Sequence, residues 1–152
     1  MSISFNNGLK YIEDNEFNLA LDAFKAAMVE GHKVSDCYFF MAICEYYIAA
    51  NDSTGTGLIS GLPRLNHLAN AKKYLDQAVL ASGERINIHV MEFVCIVEYA
   101  IAIYNRSPQK FSDRFREAYQ ALQSNEEILH GLQEKLEETE KMFSYLNKNK
   151  YY

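Results

Sequence analysis

"ALDAFKAA", Ala20 to Ala27, is echoed fifty-one residues later by "AKKYLDQA", Ala71 to Ala78. Both read alanine, three residues, a large apolar residue, two residues, alanine. At helical periodicity those three positions share one face. The small residues let a neighbouring helix come close, and the large one fills the space between axes. A second echo links "MAICEYYIAAN" (Met41–Asn51) with "VCIVEYAIAIYN" (Val94–Asn105), laying Glu45-Tyr46 on Glu98-Tyr99. Two kinds of helix, each recurring, predict stacked helix pairs in which no pair buries its apolar face alone.

The rest of the chain supports helices. Two prolines occur, and Gly, Asn and Ser clusters separate apolar-periodic stretches of helical length. These stretches predict helices at Ile3–Glu13, Phe17–Glu30, Ser35–Ala50, Leu65–Ala81, Ile86–Asn105, Pro108–Gln123 and Asn125–Lys148. Ser107 before Pro108 reads as an N-cap followed by proline at the first helical position. "SNEE", Ser124 to Glu127, reads as a capping box. Gly31 and Gly83 fall just past helices, where glycine accepts a left-handed cap. No segment alternates as a strand, so the expected class is all-α.

The chain resembles the tetratricopeptide repeat family. Gly8, Tyr11, Ala20, Phe24 and Ala27 match the family's first-repeat pattern and spacing, and Ala42 takes the place of Gly8 thirty-four residues on. Ala71 lies 51 beyond Ala20, an excess of 17 over the repeat period, so repeat two carries an insert. In repeat three Ala118 and Ala121 stand as small residues, but Arg114 replaces an alanine, and the family's tryptophan and terminal proline are absent. The resemblance implies one domain over residues 1–152, an α-solenoid of three helix pairs plus a C-terminal capping helix. Its parts are repeat one (1–34), repeat two (35–82, insert 51–66), repeat three (86–123) and the last helix (125–148).

Composition narrows the function. Of 152 residues almost half are hydrophobic and under a quarter charged, as in globular domains. A formal charge of −5 argues against broad contact with nucleic acid. Membrane insertion is not expected: Glu45 interrupts one apolar segment, and His89, Glu92 and Glu98 interrupt the other. "MSISFNNGLK" lacks a basic start followed by an apolar stretch. Cys37 and Cys44, seven apart on one helix, are roughly 10 Å apart by the helical rise, too far to bridge. Buried, reduced thiols are expected, and with them a cytoplasmic setting.

The glycine run "STGTGLISGLP", Ser53 to Pro63, tests for a nucleotide site. A dinucleotide loop needs G-x-G-x-x-G between strand and helix, whereas position 60 is Ser and the preceding segment is helical. No Gly-Lys-Ser/Thr follows, and "GLISG" is not the nucleophile-elbow order. The run is expected to be a connector whose Leu58, Ile59 and Leu62 pack on the scaffold or meet a partner. His89 and Glu92 share a face at i, i+3, but no third ligand is apparent, so no metal and no cofactor are expected. Glu45 and Glu98, in equivalent places, are expected to bond neighbouring helices rather than act as an acid–base pair. Cys44 and Cys95 lack an activating base. Nothing here points to an enzyme.

The resemblance further implies that the first helix of each pair lines a concave groove. Its positions are Phe5, Leu9 and Ile12; Phe39, Ile43, Tyr46 and Tyr47; and Glu92, Ile96 and Tyr99. Tyr and Phe there give large contact area. Phe5 and Leu9 stand where family members that clamp acidic tails carry Lys and Asn, which speaks against that specificity. The expected function is a non-catalytic module whose groove receives an apolar or amphipathic peptide of another protein. Alternatives are a structural homo-oligomer held through Leu129, Leu132, Leu136 and Phe143 of the last helix, or a small bacterial secretion-type chaperone. That helix's apolar stripe must be covered: by capping the array, by self-pairing, or by lying in the chain's own groove.

Overall fold

Short polar side chains cap the start of four helices, and left-handed residues set where several end. A computed structural model of the chain describes residues 2–51, 61–83, 85, 87–107 and 111–149, with 61–63 and 149 in backbone only. Its elements are α1 (Ile3–Glu13), α2 (Phe17–Val29), α3 (Val34–Ala50), α4 (Gly61–Ala81), α5 (Ile88–Tyr104), α6 (Asp113–Leu122) and α7 (Glu126–Asn149). No strand occurs among the described residues, and the class is all-α. The side chain of Ser2 caps α1 by accepting the Phe5 amide at 3.1 Å. Its hydroxyl also donates to Glu30 at 2.8 Å, tying the start of α1 to the end of α2.

Helix α2 closes at Gly31, whose φ of +76° lets the His32 amide reach back to the Ala27 carbonyl at 3.1 Å. The same six-residue closure recurs at Asn15, from Glu16 to Tyr11, and at Arg106, from Ser107 to Ala102. The last of these corrects an expectation. The Ser107 amide completes the end of α5, so Ser107 does not start α6; that helix begins at Asp113 under Ser112, whose side chain accepts the Phe115 amide. Likewise Asn125, not Ser124, caps α7 by accepting from the Ile128 amide at 3.1 Å. Helix α5 starts under Asn87 rather than at Ile86.

The fourth helix begins earlier than its sequence suggests. Helix α4 starts at Gly61, four residues before Leu65, with Pro63 in its first turn, where a missing amide donor costs nothing. Residues 52–60, most of the glycine run, lie outside the described residues. Arg64 is buried and donates to the carbonyls of Ala49 at 2.7 Å and Asn51 at 3.0 Å. A cation on the last carbonyls of α3 is favourable there and holds the two ends of the connection together.

Helices pack in chain order, α1 on α2, α2 on α3, and so on to α6, and α7 then turns back onto α5. The two alanine motifs face the interior: Ala20, Phe24, Ala27, Ala71, Leu75 and Ala78 are all buried. Phe24 stacks on Phe40 (centroids 5.2 Å apart) and meets Phe5 edge-on at 5.5 Å. In α6, Arg114 pairs with Asp76 of α4 where the repeat pattern asks for alanine.

Candidate functional site

One helical spacing, used three times, builds a cleft. Phe39, Ile43, Tyr46 and Tyr47 come from α3, His89, Glu92, Phe93 and Ile96 from α5, and Lys135, Glu138, Thr139 and Met142 from α7. Steps of three and four residues put each set on one helix face. The cleft encloses about 420 Å³. Its floor is aromatic: Phe93 meets Tyr46 edge-on at 5.2 Å and Phe39 at 6.1 Å. Tyr47, 42% exposed, stacks on Phe17 at 5.1 Å and forms the outer lip.

Polar contacts fasten α7 across this face. The Tyr46 hydroxyl lies 3.0 Å from Thr139 Oγ1, which donates to the Lys135 carbonyl at 2.8 Å. Lys135 Nζ donates to Glu92 Oε1 at 2.9 Å. Burial, more than any neighbour, pushes the Tyr46 phenol up to about 12, so it stays a donor at neutral pH.

Six of the ten groove residues read from the sequence line this cleft: Phe39, Ile43, Tyr46, Tyr47, Glu92 and Ile96. Four do not. Phe5 is buried against Phe24 and Phe40, and Leu9 and Ile12 pack on the same cluster. Tyr99 serves a different cleft, donating to Glu140 Oε2 at 2.8 Å. Of the second contact, Leu58 and Ile59 lie outside the described residues and Leu62 is described in backbone only. The α7 lining was missed because the apolar stripe of that helix says that it must be covered, not which surface its polar residues Lys135, Glu138 and Thr139 will meet.

Glu45 and Glu98 each join helices. Glu45 Oε2 is 3.0 Å from His67 Nδ1 and accepts from Asn70 Nδ2 at 3.1 Å, both on α4. Glu98 Oε1 lies 3.1 Å from Lys72 on α4 and 3.9 Å from Arg114 on α6. Among the described residues no three His, Cys, Asp or Glu side chains gather as metal ligands, and no described helix is long and apolar enough to cross a membrane.

No protein-family model, curated protein or solved structure significantly matches this chain.

Cys37, Cys44 and Cys95 are unpaired by disulfides and buried. Burial, with Glu45 beside it, pushes Cys44 up to about 12; burial, then Glu92 and Glu98, does the same to Cys95. Thiolate is the reactive form. A thiol reagent such as dithionitrobenzoate is therefore expected to modify none of the three rapidly in folded protein and all three after denaturation. A fast-reacting thiol in the native state contradicts this packing. The linkage runs one way: stability from these protonated thiols is complete below the unfolded value of about 8.5 and is lost as the pH rises toward the folded one. The melting temperature should fall steadily above about pH 9.

Proposed function

We propose that the chain is a non-catalytic protein-interaction module of tetratricopeptide-like design. Three helix pairs form the array, and the cleft between α3 and α5 receives an apolar or amphipathic peptide segment of a partner protein. One observation carries this reading. Helices beginning at Val34 and Ile88 bring Phe39, Ile43, Tyr46, Phe93 and Ile96 to a single aromatic-floored cleft. Clefts of that kind, with a few polar groups at the rim, are where binding energy concentrates. Self-association through α7 fits less well, because Leu132, Leu136 and Phe143 are buried within the chain and would need α7 to be exchanged between copies.

The test is site-directed photo-cross-linking. A benzoylphenylalanine at position 47 should capture a discrete partner from native lysate. Adding Phe39→Ala with Ile43→Ala should reduce capture roughly tenfold or more, with the helical circular dichroism kept. Undiminished capture by the folded double variant rejects the cleft as the binding site.

A further inference from the structure

The rim of the α3–α5 cleft carries a charge pattern that its aromatic floor does not. Glu92 and Lys135 line it and are committed to each other at 2.9 Å. Glu138, one helical turn beyond Lys135, also lines it; its side chain is exposed and joins no ion pair among the described residues.

Past Tyr47 the same sign recurs. Phe17, the first residue of α2, stacks on Tyr47 at 5.1 Å, so the α1–α2 turn sits at that lip. The turn reads Glu13-Asp14-Asn15-Glu16, all exposed. Asn15, at a φ of +58°, closes it by directing the Glu16 amide to the Tyr11 carbonyl. Lys10 lies a turn back on α1 and Lys141 a turn on from Glu138, yet neither pairs with a carboxylate here. Unpaired carboxylates thus border the aromatic floor on α7 and across the Tyr47 lip. A wholly apolar occupant leaves that field unanswered, and an acidic one meets repulsion. Lysine or arginine beside apolar anchors answers it: the side-chain stem lies along Tyr47 and Phe17, the cation over their rings, and the charge stays in water.

From this complementarity we infer that the partner segment is basic as well as apolar. Its large apolar side chains enter the cleft, one lysine or arginine faces Glu138, and a second passes over Tyr47 to the Glu13–Glu16 turn. This rests on the peptide-binding reading above and adds the partner's charge to it.

The experiment is selection of a phage-displayed library of random peptides on the immobilised full chain, with enriched peptides then synthesised and titrated by fluorescence anisotropy. Enriched sequences should combine large apolar residues with Lys or Arg. Their affinity should fall on the order of tenfold in the variant Glu13→Lys with Glu138→Lys, both at exposed helical positions, and should weaken with added salt. Selection on that variant should favour Asp and Glu instead, with circular dichroism unchanged. The variant Phe39→Ala with Ile43→Ala is titrated in parallel. Peptides that lose binding there but show neither a basic preference nor a response to charge reversal overturn the inference and leave the peptide-binding reading standing. If no peptide is enriched, or if enriched peptides ignore the Phe39→Ala, Ile43→Ala variant, both fall.

Discussion

Ending the chain at Gln123 is expected to give an aggregating, partly unfolded protein rather than a smaller stable monomer. Removing α7 takes away Leu132, Leu136, Phe143 and Leu146, all buried. It also uncovers their partners: Phe143 lies 5.7 Å from the Tyr46 ring and 6.4 Å from Tyr104. Four such side chains at roughly 1.5–3 kcal/mol each make about 6–12 kcal/mol of burial, an upper bound because unfolded chains already bury some surface. That is comparable with the whole stability of a typical domain, about 5–15 kcal/mol. Tyr99, Glu92 and the Tyr104 carbonyl lose hydrogen bonds to α7 as well. Light scattering should show polydisperse aggregate, and the thermal transition should be broad or missing. A monodisperse monomer melting at the full-length temperature would mean that α7 is an appendage. The milder Phe143→Ala should cost about 3–5 kcal/mol by the same reasoning. These magnitudes also bear on the proposed function: under that reading a partner peptide would have to fit beside α7, since displacing it forfeits most of this burial.

The repeated Glu-Tyr pair shows how far the sequence reaches. Laying Glu45-Tyr46 on Glu98-Tyr99 correctly identifies carboxylates that tie α3 and α5 to their neighbours. It also finds two tyrosines that share a task, but not the one expected. Tyr46 contacts Thr139 and Tyr99 donates to Glu140, so the pair grips adjacent residues of α7 from two sides. Related positions thus open onto different clefts. Changing both tyrosines would probe the docking of α7 before it probed any partner. The stripe Leu132, Leu136, Phe143 says that α7 must be covered, but hydrophobic periodicity cannot say by which surface. Its hydrogen-bonding residues, Lys135, Thr139 and Asn147, look solvated in sequence and become structural only when the tertiary partner is known. Cap positions failed for a related reason: Ser107 and Ser112, like Ser124 and Asn125, are chemically equivalent candidates, and the turn that ends the preceding helix chooses between them.

Gly8→Ala is expected to destabilise the protein although it puts the best helix former in place of a poor one. On an exposed helix that change gains about 0.8–1 kcal/mol. Here a Cβ would lie 2.7, 2.8 and 2.9 Å from atoms of the Phe24 ring. The ring is fully buried and held by stacking on Phe40 and by the edge of Phe5, so it cannot tilt away without moving both. Overpacking of this kind costs roughly 1–3 kcal/mol, and the larger end is expected because the obstruction is a rigid ring. The melting temperature should therefore fall. Phe24→Leu alone should also destabilise, by opening a cavity. In combination the two should cost less than their sum, since the smaller side chain makes room for the methyl group, leaving a coupling of about 1 kcal/mol or more in the double-mutant cycle. Strict additivity, or a rise in melting temperature for Gly8→Ala, would show that α1 and α2 do not meet at the distance on which the packing of the first helix pair depends.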